Sequence, residues 1–380
     1  MADQELAEVR SEIDQVDAEL ISLLEHRMRL IQRVAEYKKE QRLAVFDGKR
    51  EQEVLDRCGE LVKNSRFRIS CLEIMQKIME TGREYQSRAI SSSEPMIAAG
   101  KRAPALRVGY QGVPGSYSHQ AIQEYFKTEK ITERNFQLFE DVVKAVVDKE
   151  IDCGVLPIEN SSTGGILEVY DLLSSNDCRI VAEKIIKIEH NLMALEGVAP
   201  ENIRKVYSHP QGFSQCREFF KQHPDWELIP YFNTAKSAEM VSTKKDTSAA
   251  AVASRQAAEL YGLKILESNI NFNKNNYTRF VFIAKEMWEN DDADKITVVV
   301  TLPHKPGTLY TALGCFYRNG LNMTNIESRP LKDRTWEYSF HMDFCGNLRH
   351  RAAIRAIEEL QENSTYCRIL GNYKADDPRG

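Results

Sequence analysis

Three cations stand where a helix pair would bury leucines. Read in a heptad frame, residues 6–42 turn inward Arg10, Ile13, Asp17, Leu20, Leu24, Arg27, Ile31, Val34 and Lys38. An unpaired buried cation costs several kcal/mol, so these side chains either snorkel to water or meet an anion inside. A single Lys or Arg at such a position usually sets register or reaches solvent. Three on one stripe, followed by more charges at the next helix start, favour an anionic small molecule. Arg27 and Lys38 are three turns apart on nearly one face, about 16 Å of rise, which long side chains can close around a ligand. Arg10 is another ~25 Å along the same rod. If it contacts that ligand, it does so for a site in another subunit.

A second set of polar residues occupies four loops that follow apolar runs. The first is Gly109-Tyr110-Gln111-Gly112-Val113-Pro114-Gly115-Ser116-Tyr117-Ser118, and the second runs from Pro157 through Glu159, Asn160, Ser161, Ser162 and Thr163 to Gly165. The third is Ser208-His209-Pro210-Gln211, and the fourth is Asn276-Tyr277-Thr278-Arg279-Phe280. The glycine spacing of the first does not fit a dinucleotide fingerprint. Backbone N–H groups and hydroxyls at a helix start still suit a carboxylate. Singly, each loop is more often a cap or turn than a site. Four at one sheet end point to a cleft for a small dianion.

The elements that must position these groups fall into three blocks. Residues 6–42 lack Pro and Gly and predict one helix of about ten turns. That is too long for an ordinary globular helix and fits a coiled coil or an intertwined dimer. Asp47 caps a second helix, and a third spans about 69–88. This all-α module, residues 1–90, cannot close a core as a monomer. Residues 91–104 are small, polar and Pro-bearing, a linker.

From 105 to 287 strands at 107–112, 153–158, 179–188, 205–208, 228–232 and 279–284 alternate with helices at 118–126, 142–149, 166–173 and 214–222. Ala-rich helices fill 236–261. The pattern predicts an α/β domain with mostly parallel sheets in two lobes, arranged like a periplasmic binding protein. After the polar break 289–294, the order β-α-β-β-α-β across 294–373 is that of a ferredoxin-like sandwich, with a tail at 374–380.

Composition narrows the function. A net charge of −5 gives no nucleic-acid footprint, and no apolar run reaches the length of a membrane span. The acidic start lacks the order of a signal peptide. Eight cysteines without metal-ligand spacing read as reduced cytoplasmic thiols. No metal or cofactor is expected.

Several motifs carry a resemblance over nearly the whole chain. Thr278-Arg279-Phe280, Glu159-Asn160-Ser161-Ser162 and Gly115-Ser116-Tyr117-Ser118 resemble the signatures of prephenate dehydratases. Glu327-Ser328-Arg329-Pro330, with Pro306-Gly307-Thr308-Leu309, resembles the phenylalanine-binding ACT domain of that family. The first module resembles the all-helical chorismate mutases. In this order the chain resembles the bifunctional chorismate mutase–prephenate dehydratases.

The resemblance implies chorismate and prephenate as substrates, L-phenylalanine as effector, and a homodimer or higher assembly. It implies that Arg10 of the other subunit, Arg27, Lys38 and Arg50 bind carboxylates and the ether oxygen. Asp47 and Glu51 would lie near the substrate hydroxyl, with Gln86 as second donor to the ether. Gly82 stands where many relatives carry Ser. In the middle domain Thr278 would be the donor to the departing hydroxyl and Arg279 a carboxylate anchor. Ser116, Tyr117, Asn160, Ser161, Ser162, Thr163 and Phe280 would complete that site. Gly307, Thr308, Leu309, Glu327, Ser328, Arg329 and Pro330 would bind the effector. Two rival readings remain at this stage: a non-catalytic sensor of aromatic acids, or a chain that keeps one of the two activities.

Overall fold

A computed structural model describes residues 2–41, 47–90, 99–331 and 337–377. The turn expected at Val45 and Phe46, most of the 91–104 linker, and Trp336 lie outside them. The chain divides into Met1–Glu94 and Pro95–Gly380.

The first unit is helical: α1 (Ala2–Gln41), α2 (Gly48–Leu61) and α3 (Arg68–Ile90). Asp47 caps α2 by accepting from Arg50 N at 3.0 Å. Helices α1 and α3 run parallel. Arg27 meets Ile78, and a Cβ on Gly82 would lie 2.5 Å from Ile31 Cδ1, a constant offset of 51 residues. At that offset Arg68 stands opposite Asp17, so the first turns of α1 overhang α3. Leu6, Val9, Ile13 and Val16 on this overhang are 49–55 % exposed, whereas Ile31 and Ala35 are buried.

The second unit opens with β1 (Leu106–Gln111), α4 (Tyr117–Phe126), β2 (Ile131–Phe136), α5 (Phe139–Val147), β3 (Cys153–Asn160), β4 (Gly164–Gly165), α6 (Leu167–Ser175) and β5 (Arg179–Lys187). The chain crosses to β6 (Asn191–Ala194), β7 (Lys205–Ser208), α7 (Pro210–Gln215), α8 (Arg217–Phe220), β8 (Glu227–Pro230), α9 (Thr234–Lys244), β9 (Ala249–Ala253), α10 (Arg255–Tyr261) and β10 (Lys264–Glu267). It returns through β11 (Tyr277–Ala284) to β12 (Lys295–Thr301), α11 (Thr308–Arg318), β13 (Met323–Pro330), β14 (Tyr338–Cys345), α12 (Arg351–Glu362) and β15 (Tyr366–Tyr373).

Among the described residues the strands make two sheets, ordered β13-β14-β12-β15-β5-β11-β3-β1-β2 and β10-β6-β9-β7-β8, with β4 off β3. The two lobes are therefore present, but their sheets are mixed rather than mostly parallel. The returning strand β11 pairs antiparallel with both β3 and β5, and β6 pairs antiparallel with β9. A two-lobed chain that crosses back must insert such a strand.

Three further differences have local causes. Residues 249–253, expected within Ala-rich helices, form the fully buried central strand β9. Their small side chains let α7 and α9 pack close, and burial between neighbouring strands outweighs alanine's helix propensity. Residues 214–222 split into α7 and α8 at Cys216, whose φ of −110° and ψ of 13° leave the helical region. The 99–104 end of the expected linker is not loose, since Gly100 bridges to Trp288 with Gly100 N donating to Met287 O at 2.8 Å.

The terminal β-α-β-β-α-β segment has the strand order of a ferredoxin-like sandwich, β13-β14-β12-β15. It is not a detached module. Strand β15 joins β5 at Gly371, where a Cβ would collide with the Ile180 carbonyl. Val299, Leu370 and Tyr373 of the sandwich belong to the same core as Val169, Leu173 and Ile283. Boundaries drawn at 287 and 294 mark a change of topology within one continuous sheet.

Candidate functional site

In the helical unit, the α1 stripe facing α3 carries Arg27, Ile31, Ala35 and Lys38. Arg27 is half-buried, donates to Ile78 O at 3.2 Å, and has its pKa lowered by burial. A partly desolvated cation gains from an anionic partner. Gln86 on α3, opposite Ala35 at the same offset, has a buried Oε1 without a hydrogen-bond partner. Glu51 pairs with Arg83 at 3.4 Å, and Arg50 with Glu53 at 3.2 Å. Arg10 lies exposed on the overhang. Arg27, Lys38 and Gln86 thus share one face, and Arg10 is far from them along the rod.

Three of the four polar loops meet where β3 ends and β11 begins. Strand register sets Thr278 beside Asn160. Asn160 is the hub. The two hydrogens on its Nδ2 are shared among three acceptors, Thr278 Oγ1 at 2.9 Å, Asn276 Oδ1 at 2.8 Å and Tyr277 O at 3.1 Å. Its Oδ1 accepts from Ser162 N, Thr163 N and Thr163 Oγ1 at 3.0, 3.2 and 3.3 Å. One amide therefore shapes the 161–163 turn and fixes the threonine. Ser161 is structural: its Oγ accepts from Tyr277 N at 2.9 Å and donates to Asn275 O at 3.1 Å.

The opposite lobe reaches in through Gln211, whose Nε2 donates to Thr163 Oγ1 at 3.4 Å. Asn273, on the returning crossover, donates to Ser162 Oγ at 2.8 Å. His209 caps α7 by accepting from Gln211 N at Nδ1, 3.2 Å away. Its pKa is lowered by burial, so the neutral ring carries its proton on Nε2. The crossover segments are tied together by Ile188 N to Asn276 O and Ile270 N to His190 O, both 2.8 Å. His190 Nε2 donates to Gln215 Oε1, 2.7 Å away, and burial lowers the ring's pKa.

Besides Ser161, four sequence expectations need correction. Ser116 caps α4 through His119 N at 3.4 Å, and Tyr117 OH donates to the hinge carbonyl of Glu189 at 2.9 Å. Both serve the frame rather than presenting free groups. Phe280 is buried among Tyr110, Phe126 and Phe282. Arg279 does not point into the cleft, because strand alternation turns it to the face opposite Thr278. There it bonds Glu183, Asp343 and Tyr373 at 2.7, 2.6 and 2.8 Å. A guanidinium so committed cannot also anchor a substrate carboxylate.

The expected effector residues also divide by alternation. Arg329 donates to both oxygens of Asp171 on α6, at 2.8 and 2.9 Å. Glu327 Oε2 lies 3.0 Å from where a Gly165 side chain would begin. Ser328 and Pro330 are exposed, at the sheet end where Gly307 (φ +82°) starts α11. Glu327 and Arg329 therefore face the dehydratase lobe. Gln211, Asn273, Asn276, His190 and Gln215 were not singled out as site residues from sequence. Only Gln211 and Asn276 carried a signal, as members of the polar loops.

Among the described residues, no helix is long and apolar enough to cross a membrane, and no group of three or more His, Cys, Asp or Glu could hold a metal ion.

Comparison with known proteins agrees with this division. The chorismate mutase type II family model matches residues 9–87, and the prephenate dehydratase model matches 108–288. A bifunctional chorismate mutase/prephenate dehydratase of Aquifex aeolicus is 33 % identical over 372 residues, covering 97 % of this chain and 98 % of that protein. The structure of a prephenate dehydratase from Arthrobacter aurescens in complex with L-Phe is 28 % identical, with a TM-score of 0.64 over 71 % of this chain and 90 % of that one. A solved protein described as a novel type of quorum quenching acylase is 31 % identical, with a TM-score of 0.66 over 72 % of this chain and 100 % of that one. The chain belongs to the bifunctional chorismate mutase/prephenate dehydratase family of phenylalanine biosynthesis: one unit rearranges chorismate to prephenate, and the other converts prephenate to phenylpyruvate.

Proposed function

We propose that the mutase sites are each shared by two intertwined chains, and that dehydration is driven by Thr278 held by Asn160. The rearrangement of chorismate needs no nucleophile and no proton transfer. It needs the diaxial dianion held in place, with donors on the ether oxygen as charge builds there. Arg27 and Lys38 on α1, Arg50 and the acids Asp47 and Glu51 on α2, and Gln86 on α3 supply these. Arg10 sits on the order of 40 Å from Lys38 along α1, so it serves the site of the second chain. The exposed apolar overhang supports this reading, because a second α1 would cover it.

In the second reaction the ring carboxylate leaves as CO₂, its electrons enter the ring, and the 4-hydroxyl departs as water after gaining a proton. The observation that carries the assignment is the hydrogen bond from Asn160 Nδ2 to Thr278 Oγ1. With its oxygen already accepting, Thr278 has its own hydrogen left to donate. Threonine is a weak acid, so its contribution is a hydrogen bond that strengthens as the C–O bond breaks. The 161–163 turn and Gln211 close over the substrate from the two lobes.

L-phenylalanine acts in this reading at the start of α11, Gly307 to Leu309, together with Ser328 and Pro330 of a second chain. Exposed Tyr310, Leu313 and Tyr317 on α11, with Ile326 on the edge strand, offer the contact surface. Arg329 and Glu327 carry the signal to α6.

Amide hydrolysis, the activity named for the acylase, asks for a nucleophile beside an oriented base. The Ser174–His341 pair, 2.8 Å apart, has that spacing. His341 is only 1 % exposed, however, and its Nδ1 has no partner, so the pair lacks both access and an orienting group.

Thr278→Ala tests the dehydratase centre. Phenylpyruvate formation should fall by about 10²–10³ with mutase activity unchanged. A full dehydratase rate would make Thr278 a structural cap and remove this mechanism.

A further inference from the structure

Arg279, adjacent to Thr278, sits in a closed ring of hydrogen bonds whose other members belong to the terminal sandwich. Its Nη1 donates to Asp343 Oδ2 at 2.6 Å and its Nη2 to Tyr373 OH at 2.8 Å. Thr297 Oγ1 lies 2.7 Å from Asp343 Oδ1 and 2.8 Å from Tyr373 OH. Counting protons fixes every direction. A guanidinium only donates, so Tyr373 accepts from it and directs its own hydrogen to Thr297. Thr297 then donates to Asp343, and the ring closes.

On the other side Arg279 Nε donates to Glu183 Oε2 at 2.7 Å, and Lys295 Nζ reaches Glu183 Oε1 at 2.6 Å. Two cations thus face two buried carboxylates in a core where Arg279 is 9 % and Tyr373 0 % exposed, and the more exposed Glu159 carboxylate lies 3.9 Å from Arg279 Nη1. Burial alone would lower the Arg279 pKa, but Asp343, Tyr373 and Glu183 hold it well above its ordinary value.

Such a network is poor evidence for added stability, since well-packed apolar groups often serve as well. What it can supply is geometry. Strand β11 has a register irregularity against β3 between Arg279 and Phe280: Arg279 stands opposite Glu159, but Phe280 opposite Pro157. A one-residue slip turns every side chain to the other face. The residue pinned by the ring is the one that separates Thr278 from the irregularity.

We infer that Arg279 is a positioning residue: through Tyr373, Thr297 and Asp343 the C-terminal sandwich fixes β11 at its bulge and so aims Thr278 into the cleft. The inference rests on Thr278 being the donor to the departing hydroxyl. Tyr373→Phe in the full chain removes one hydroxyl of a buried side chain across the sheet from the cleft. It should lower dehydratase kcat about ten- to a hundredfold, with KM for prephenate within twofold and mutase activity unchanged. Added to Thr278→Ala, it should cause no further loss, because it acts only through that threonine.

Should Tyr373→Phe fail to fold, Thr297→Ser and Thr297→Val decide. The serine keeps the ring and the rate, and the valine loses both. Unchanged kcat in Tyr373→Phe or Thr297→Val would overturn the inference, as would a raised KM with kcat held in Arg279→Lys. Those results are distinct from failure of the underlying reading, which would appear as a full rate in Thr278→Ala alone.

Discussion

Asn160→Asp is nearly isosteric, yet it should reverse the hydrogen bond on which the dehydratase centre depends. In the native chain Nδ2 donates to Thr278 Oγ1 at 2.9 Å, which in the proposed mechanism leaves the threonine hydrogen for the substrate. A carboxylate in that place only accepts. It would draw the threonine hydrogen inward and take it from the departing hydroxyl. It would also face Asn276 Oδ1 and Tyr277 O, at 2.8 and 3.1 Å, as one acceptor against two. The Asn276 amide can turn over to donate, but the Tyr277 carbonyl cannot. Losing one donor at a transition state costs about 3–4 kcal/mol, so phenylpyruvate formation should fall by about 10²–10³ at neutral pH.

The pH dependence sharpens the test. Burial and the Tyr277 carbonyl raise the pKa of the introduced carboxyl, while Ser162 N, Thr163 N and Thr163 Oγ1, which donate to its other oxygen, lower it. Below that pKa its O–H donates to Thr278 again. The deficit should therefore shrink as pH falls, a trend absent from the native enzyme. Steady-state phenylpyruvate formation across pH measures it, with mutase activity of the same sample as the check on active protein. A variant within threefold of native rate at neutral pH would refute the donor argument.

Arg10→Ala and Lys38→Ala should each nearly abolish mutase activity, but refolding an equal mixture should restore roughly a quarter of it. Half the dimers are mixed, and each of those holds one intact site; no regain with heterodimers present would exclude a shared site. Removing residues from 294 onward should abolish dehydratase activity as well as any response to phenylalanine. It strips Asp343, Thr297 and Tyr373 from Arg279 and opens a shared core; a folded, active truncation, followed by phenylpyruvate assay, would contradict this. Burial lowers the pKa of His341 to about 4, against an ordinary 6.5. The unfolded chain takes that proton first as pH falls, so stability is full above 6.5 and drops by about 3 kcal/mol towards pH 4. His341→Gln should flatten this acid loss in denaturant unfolding, and an unchanged slope would assign it to other groups.

The sequence alone determined the long first helix, the polar loops and the order of the three blocks. Each rests on local chemistry: a heptad stripe over residues 6–42 with no Pro or Gly to interrupt it, glycines and hydroxyls after apolar runs, and β-α-β-β-α-β at the end. Those signals survive folding because capping, turn formation and amphipathic burial act over a few residues. Even Asp47, read as a cap from its place before a charged run, caps α2.

What the sequence left undecided was which way side chains point and what lies across from them. Thr278 and Arg279 are neighbours in one motif, yet alternation sends one to Asn160 at the end of β3 and the other into a buried ring on the opposite face. The same alternation divides Ser328 from Arg329. Asn160 became the hub of the site through a register with β11, more than a hundred residues away, and no local period encodes that pairing. The strand at Ala249–Ala253 likewise formed against its own propensity, because the tertiary structure offered it complete burial between β6 and β7. Local sequence set most of the elements, though not Ala249–Ala253 or the break at Cys216. Long-range pairing chose the face each side chain presents, and with it the groups available to the substrate.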